Sequence, residues 1–144
     1  MSESGAVDTA ILETLRADAE LLALCPDGIQ YGTAKPTATR FVLVDREAHT
    51  VDTNLFGGAA GETFVYLVAA VMPEATTAPA RLAATRIREL LDGARITPAG
   101  YGLMAPVEEI ESVRPGPDVD PTNPDRRVQQ WGGRYQVIVQ RLDS

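Results

Sequence analysis

The chain has 144 residues, the length of one domain, and 44% of them are hydrophobic, which is enough to fill a core. Its formal net charge of −7 argues against bulk electrostatic binding to nucleic acid or to an anionic membrane surface. A single cysteine, Cys25, excludes an intrachain disulfide framework and a multi-cysteine metal site. We therefore expect one acidic globular domain over residues 1–144.

The first quarter of the chain predicts helices followed by a short strand. Asp8 is a suitable cap for a helix that runs to about Leu24, and Asp18 can restart it after a small break. The turn sequence at 26–28 ends the helix, and Ile29–Tyr31 predicts a short strand.

The middle of the chain predicts two long strands and a second helix. The strands are Thr37–Glu47 and Glu62–Met72, joined by a long loop, Ala48–Gly61. A helix is expected from Thr77 or Ala78 to the natural C-terminal cap Gly93.

The last third predicts strands and one unusual connection. A short strand at 94–97 is followed by Ala105–Val113 and Gly133–Leu142, and the proline- and aspartate-rich stretch 114–127 separates the last two. Short links and hairpin-like neighbours indicate an α+β fold, an antiparallel or mixed sheet of about four to five strands with two main helices on one face.

Apolar periodicity predicts which side chains fill the core between sheet and helices. They are Leu12, Leu15, Leu22, Phe41, Leu43, Val65, Leu67, Ile87, Leu90, Val137 and Val139.

Residues that could support catalysis are few. His49 is the only histidine and lies in a predicted polar loop, so we interpret it as a solvated side chain. Glu109 and Glu111 alternate onto one face of a strand, a spacing that serves acid–base chemistry in some enzymes, but a solvated or interface face suits them better. Cys25 ends an apolar run and is interpreted as a small buried hydrophobe.

Ligand motifs are also incomplete. The glycine-rich run Gly57–Gly61 has no Lys-Ser/Thr after it and precedes a strand, so it lacks the helix N-terminus of a phosphate loop. An EF-hand loop counted from Asp118 would need glycine and glutamate where Asn123 and Gln129 stand. We predict no enzyme activity, no metal and no cofactor.

Two long loops in a small domain point instead to a protein that works by contact. Leu55 and Phe56 are adjacent large apolar residues in the first loop, and such residues often anchor an interface, although they could equally fold back onto their own sheet. The absence of a signal pattern and of a membrane-length apolar run predicts a protein made in the cytoplasm.

The order of segments resembles the tail-terminator, or tail-completion, proteins of long-tailed phages and gene transfer agents. Three blocks carry the resemblance: "AILETLRADAELLALCPDGIQYGTAKPTATRFVLVDRE", "HTVDTNLFGGAAGETFVYLVAAVMPEATTAPARLAATRIRELLDG" and "GRYQVIVQRLD". Together they cover nearly the whole chain. Arg40 stands where the family often has proline, and the 114–127 loop is longer than is usual in the family.

The resemblance implies a structural virion protein of the tail or neck, assembled in the host cytoplasm. It implies a ring of identical subunits, expected to be a hexamer, that terminates the tail tube protein polymer and contacts the head-side connector protein. DNA would pass through the bore without sequence-specific binding, and a negative wall would give phosphate no place to adhere. A head-closure or other neck protein is the nearest alternative, and a small-ligand-binding α+β domain is an alternative from another class.

The 114–127 stretch is expected to be a projecting finger between two strands of one sheet. Its prolines cannot donate ladder hydrogen bonds and limit its disorder before docking. We expect Arg126 and Arg127 to anchor it on a partner, with Asp118 and Asp120 facing the bore or solvent.

Overall fold

A computed structural model describes residues 5–35, 37–52, 61–73, 76–114, 118–119 and 127–142, with the backbone alone at 52, 118, 119 and 127. The helices are α1 (Gly5–Arg16), α2 (Ala19–Leu24) and α3 (Thr77–Leu91). The strands are β1 (Ile29–Tyr31), β2 (Phe41–Asp52), β3 (Gly61–Pro73), β4 (Tyr101–Leu103), β5 (Glu108–Val113), β6 (Asp118–Val119) and β7 (Arg127–Arg141). The predicted α+β class with a mixed sheet is confirmed, and seven strands are described where four to five were expected.

The sheet is organised around its two longest strands, β3 and β7, which pair antiparallel from Gly61↔Gln140 to Pro73↔Val128. On the far side of β3 lie β2 and then β1, and the β1–β2 pair is the parallel one. The far edge of β7 is shared by three short strands, because its 15 residues are long enough to pair in turn with β6, β5 and β4.

The main core lies on one face of this sheet, and the buried side chains of all three helices contribute to it. In β3 the alternate residues Phe64, Tyr66 and Val68 face the helices, so the expectation that Val65 and Leu67 fill the core is wrong. In β2 the core positions are Val42 and Val44.

Several other predicted core residues need the same correction. Leu15, Ile87, Val137 and Val139 are buried in the main core, and Phe41 is buried in a small second cluster with Val71 on the opposite face. Leu43 is partly buried beside that second cluster, and three predicted residues only flank the main core: Leu12, Leu22 and Leu90.

Boundaries differ from the prediction where long-range pairing extends a strand. Ala48 to Asp52 continue β2 along β3 instead of starting a loop, after a register shift between Arg46 and Ala48. No strand is described at 94–97, where one was expected. The short strand that follows α3 is β4, at Tyr101–Leu103.

Asp8 does not cap α1, which starts at Gly5; it lies in the first turn and ties the helix to the sheet. Its carboxylate accepts hydrogen bonds from the Tyr31 hydroxyl at 2.6 Å and from the buried Tyr66 hydroxyl. Burial and this carboxylate raise the pKa of Tyr31 to about 12, so that both hydroxyls stay protonated donors. No described helix is long and apolar enough to cross a membrane.

The predicted break at Asp18 is confirmed, and this residue also joins α2 to α3. Its Oδ2 accepts from the Leu21 amide at 2.9 Å as an N-cap, and both carboxylate oxygens pair with the Arg86 guanidinium, at 2.6 and 2.8 Å. The hydrogen bonds from Arg86 are the main reason that the pKa of Asp18 lies below its ordinary value.

Asp18→Ala is expected to lower the free energy of unfolding by about 1–3 kcal/mol, since it removes a cap and a charge-assisted pair. Asp18→Asn retains the cap acceptor and should cost less. Because the folded pKa is depressed, the stabilisation is complete above the unfolded carboxyl pKa of about 3.9 and is lost as pH falls below it. Urea unfolding should show the gap between wild type and Asp18→Asn closing from pH 6 to pH 3; a constant gap would contradict the assignment.

Candidate functional site

The residues predicted to touch partners fall at the limits of the described structure. Leu55, Phe56, Asp120 and Arg126 lie outside the described residues, and the side chains of Asp118 and Arg127 are not described either. The backbone shows β6 pairing with the start of β7, Asp118↔Val128 and Val119↔Arg127. Both ends of the 114–127 stretch therefore belong to the sheet, and its role as a finger stays a prediction.

His49 is not in a loop, as the sequence suggested, but in β2 opposite Phe64, on whose ring it stacks with centroids 4.2 Å apart. Its Nε2 lies 2.8 Å from Oε1 of Glu62, whose other oxygen accepts from Arg141 Nε at 2.9 Å. Burial by itself would raise the pKa of Glu62, but these two partners hold it below its ordinary value. The cluster is an ion-paired anchor between three strands, and no serine or cysteine nucleophile is among these contacts.

Glu109 and Glu111 do not share a face, because the register shifts between them. Glu109 accepts from the buried Tyr135 hydroxyl at 3.0 Å and pairs with Arg88 at 3.3 Å on the helix side. Glu111 pairs with Arg134 at 3.0 Å and is 61% exposed. Two carboxylates that have separate partners on opposite faces cannot work as an acid–base pair.

Other sites of chemistry are equally sparse in the described part of the chain. Cys25 is fully buried, as predicted, and burial raises the pKa of its thiol to about 12, which leaves it unreactive. Among the described residues no three histidine, cysteine, aspartate or glutamate side chains group as they would to hold a metal ion.

The most distinctive surface feature is a groove between α3 and the β5–β7 edge, here called the arginine groove, with a volume of about 480 Å³. Arg81 and Arg88 project from α3, Arg114 follows β5, and Trp131 comes from β7. The full described lining is Arg81, Ala84, Thr85, Arg88, Ser112, Val113, Arg114, Trp131 and Gly132. No acidic side chain is in this lining, although the whole chain carries a net charge of −7.

The groove is held in shape by contacts within its wall. The Arg81 guanidinium lies over the Trp131 ring, 5.6 Å from its centroid, and the indole Nε1 donates to Gln129 at 2.7 Å. Gly132 is required beside Trp131, because the backbone of β3 at Val68 and Ala69 occupies the space where a Cβ would point. Arg88 is partly neutralised at the rim by Glu109.

A second feature is the sheet face opposite the helices, which we call the open face. Val65, Leu67 and Ile138 lie on it in neighbouring strands and are only partly buried. The buried residues of the helices all belong to the core on the other side. Apolar side chains that stay partly exposed on one sheet face can mark a surface that another protein covers.

An ion-pair bridge frames the open face. Arg134 of β7 reaches Glu47 of β2 at 2.6 Å and Glu111 of β5 at 3.0 Å, so that it spans the width of β3. The hydrogen bond to Glu47 is the main cause of the raised pKa of Arg134. This pairing holds charged groups at the border of the apolar row.

Comparison with known proteins gives a fold match and no family match. No protein-family model and no curated protein matches the sequence. Among the solved structures that do match is a chain of a structure described as "Virion of native gene transfer agent (GTA) particle". This chain shares its fold. The TM-score is 0.76 at 22% identity, with 96% of the present chain and 98% of the other covered.

The likeness is one of fold and extends over nearly the whole of each chain. Sequence reasoning found neither the arginine groove nor the open face. In the fold Arg86 of α3 pairs with Asp18, whereas Arg81 and Arg88 of the same helix line the groove. The sequence does show several arginines on one helix and a single tryptophan in a later strand. That these residues lie close together depends on the tertiary packing, which the sequence pattern does not give.

Proposed function

We propose that this chain is a structural virion protein that forms a ring at the head-proximal end of a phage-type tail tube. There it terminates tube growth and joins the tube to the head-side connector. The observation that carries the proposal is the end-to-end fold match to a chain of a gene transfer agent virion. The resemblance of three sequence blocks to tail-terminator proteins supports the same assignment.

The open face offers a contact surface for a second copy. Val65, Leu67 and Ile138 present apolar area, and the Arg134 bridge offers charges at its border. Burial of such a row against a neighbour would contribute about 25 cal/mol per Å² of apolar surface. Identical subunits that meet through two different surfaces close into a ring when the rotation between them allows it.

The acidic charge suits a protein that surrounds DNA without holding it. At a net charge of −7 the chain repels phosphate, so DNA can pass through a bore without sequence-specific binding. In this proposal Asp118 and Asp120 face the bore or solvent. The protein is assembled in the host cytoplasm and has its place at the tail or neck of the particle.

Loop residues are proposed as the points of attachment. Leu55 and Phe56 would lie against a subunit or the tube, and Arg126 and Arg127 would anchor the 114–127 finger on a partner. Large apolar and arginine side chains are the residue types that carry most of the binding energy of interfaces.

The proposal is tested by electron microscopy of the purified protein, alone and with tail tubes, together with the variant Leu55→Ser/Phe56→Ser. We expect rings on tube ends for the wild type and weaker ring assembly for the variant, with thermal unfolding little changed. Leu82→Ser is the matched control, because Leu82 is 59% exposed on the helix layer, away from the open face.

A wild-type protein that binds only head connectors and never tube ends would favour a head-closure or other neck protein. A protein that stays monomeric with both partners present would remove the ring altogether. A variant that unfolds would show that Leu55 and Phe56 pack on their own sheet.

A further inference from the structure

The arginine groove has a charge opposite to that of the protein around it. Three arginines converge on it from α3 and from the end of β5, and the lining side chains in the described chain include no carboxylate. The three guanidinium groups repel one another, and a bound anion would offset that repulsion.

Two of these arginines have no counter-charge within the described part of the chain. Arg88 pairs with Glu109 at 3.3 Å, but neither Arg81 nor Arg114 forms an ion pair with any residue in the described ranges. Arg81 lies instead over the Trp131 ring, a contact that favours one direction of its guanidinium. A guanidinium held in one direction loses less freedom when it binds a carboxylate with two parallel hydrogen bonds.

We propose that the arginine groove binds an extended, acidic peptide segment of a partner protein, with carboxylates of that segment paired to Arg81 and Arg114. The hydroxyl of Thr85 lies in the same lining and can donate to a further acidic or backbone oxygen, whereas the Ser112 hydroxyl donates to Glu109 at 3.3 Å. The outer side of β5 faces no other described strand, so an extended segment can approach along that edge.

A peptide fits this groove better than a nucleic acid. Base stacking would need a free aromatic face, but Arg81 already covers one side of Trp131, and the ring is partly buried in the core. A phosphodiester chain longer than the groove would also meet the repulsion of a chain whose net charge is −7. A short peptide segment with a few carboxylates interacts only with the positive potential of the groove itself.

The inference goes beyond the proposed ring and is tested on the purified protein in solution, so that either can fail without the other. Trp131 is the only tryptophan, so its emission reports on the groove directly. The probe is hexaglutamate, with hexalysine, inorganic phosphate and an oligothymidine as comparison ligands. We expect hexaglutamate to shift Trp131 emission and to bind more weakly as salt rises from about 0.05 to about 0.5 M.

Arg81→Gln/Arg114→Gln should weaken binding of hexaglutamate by about tenfold, as expected for two partly exposed charge pairs. Arg81→Lys/Arg114→Lys should retain most of the salt-dependent binding, because the charges remain. The matched control is Arg95→Gln, an exposed arginine outside the groove lining, which should change the affinity by less than about twofold. Circular dichroism of each variant confirms that the fold is intact; if the glutamine variant unfolds, the lysine variant and the salt dependence decide.

Equal affinity of the wild type and of Arg81→Gln/Arg114→Gln for hexaglutamate would overturn the proposal, as would the absence of any binding. Tighter binding of inorganic phosphate or of the oligothymidine would overturn it too, since the groove would then be a phosphate site. An equal loss in Arg95→Gln would mean that hexaglutamate senses overall charge and not the groove.

Discussion

Gly132→Ala is expected to prevent the chain from folding. A Cβ at this position would overlap the carbonyl oxygen of Val68 and lie 2.6 Å from the Cα of Ala69. These are backbone atoms of β3, the strand that pairs with β7 along its whole length, so they cannot move aside as a flexible side chain would. Relief requires the two central strands to separate, and we expect a loss of about 4 kcal/mol or more of the unfolding free energy.

Circular dichroism and soluble yield of Gly132→Ala measure this effect. Gly61→Ala is the matched control, because it lies at the end of the same strand pair and its Cβ would meet nothing closer than the Met104 sulfur, at 3.4 Å. It should fold, with a change of less than about 1 kcal/mol. A stable, cooperative Gly132→Ala would mean that β3 and β7 do not approach each other as described.

Local signals in the sequence predicted the elements well where one residue decides the backbone. Asp18 combines a broken helical pattern with a capping side chain, and the break lies there. Ile29–Tyr31 is bounded by turn residues on both sides, and β1 has those bounds. α3 starts at Thr77, shortly after Pro73 and at the beginning of a helical stripe of apolar residues.

The face of a strand could not be predicted in the same way. From Phe64 to Val68 every residue of β3 is apolar or aromatic, so the sequence has no apolar–polar alternation that would show which face is buried. Whether Phe64 or Val65 faces the core depends on which side of the sheet the helices cover. A shift of one residue exchanges the two faces completely. The pairing with β7 sets Tyr66 against Tyr135 in the core and Leu67 against Arg134 on the open face.

The candidate site was still harder to predict, because its residues come from separate elements. Arg81, Arg114 and Trp131 are far apart in the chain and meet only when β5 and α3 are placed on either side of β7. In the sequence alone, each of these arginines looks like an ordinary solvated surface residue. His49 similarly acquires its partner, Glu62, from a register that a bulge in β2 has shifted.

Leu91→Ala is expected to lower the free energy of unfolding by about 2–5 kcal/mol, because Leu91 is fully buried in the main core at the end of α3. Leu82→Ala should change it by less than about 0.5 kcal/mol, since Leu82 is 59% exposed. Leu90 flanks the core and should give an intermediate loss. Urea unfolding of the three variants measures the order directly.

Helical geometry explains why these leucines differ although all three belong to the apolar stripe that the sequence of α3 suggests. At about 100° per residue, Leu82 and Leu91 point about 180° apart, and Leu90 lies between them. The buried positions Ala80, Ala83, Ile87 and Leu91 cover a narrower sector centred away from Leu82. The width of the stripe should have excluded Leu82, because one helix cannot bury half of its circumference against a single sheet face. If Leu82→Ala is as destabilising as Leu91→Ala, α3 is rotated from the orientation described, and the arginine groove on its flank is then wrong as well.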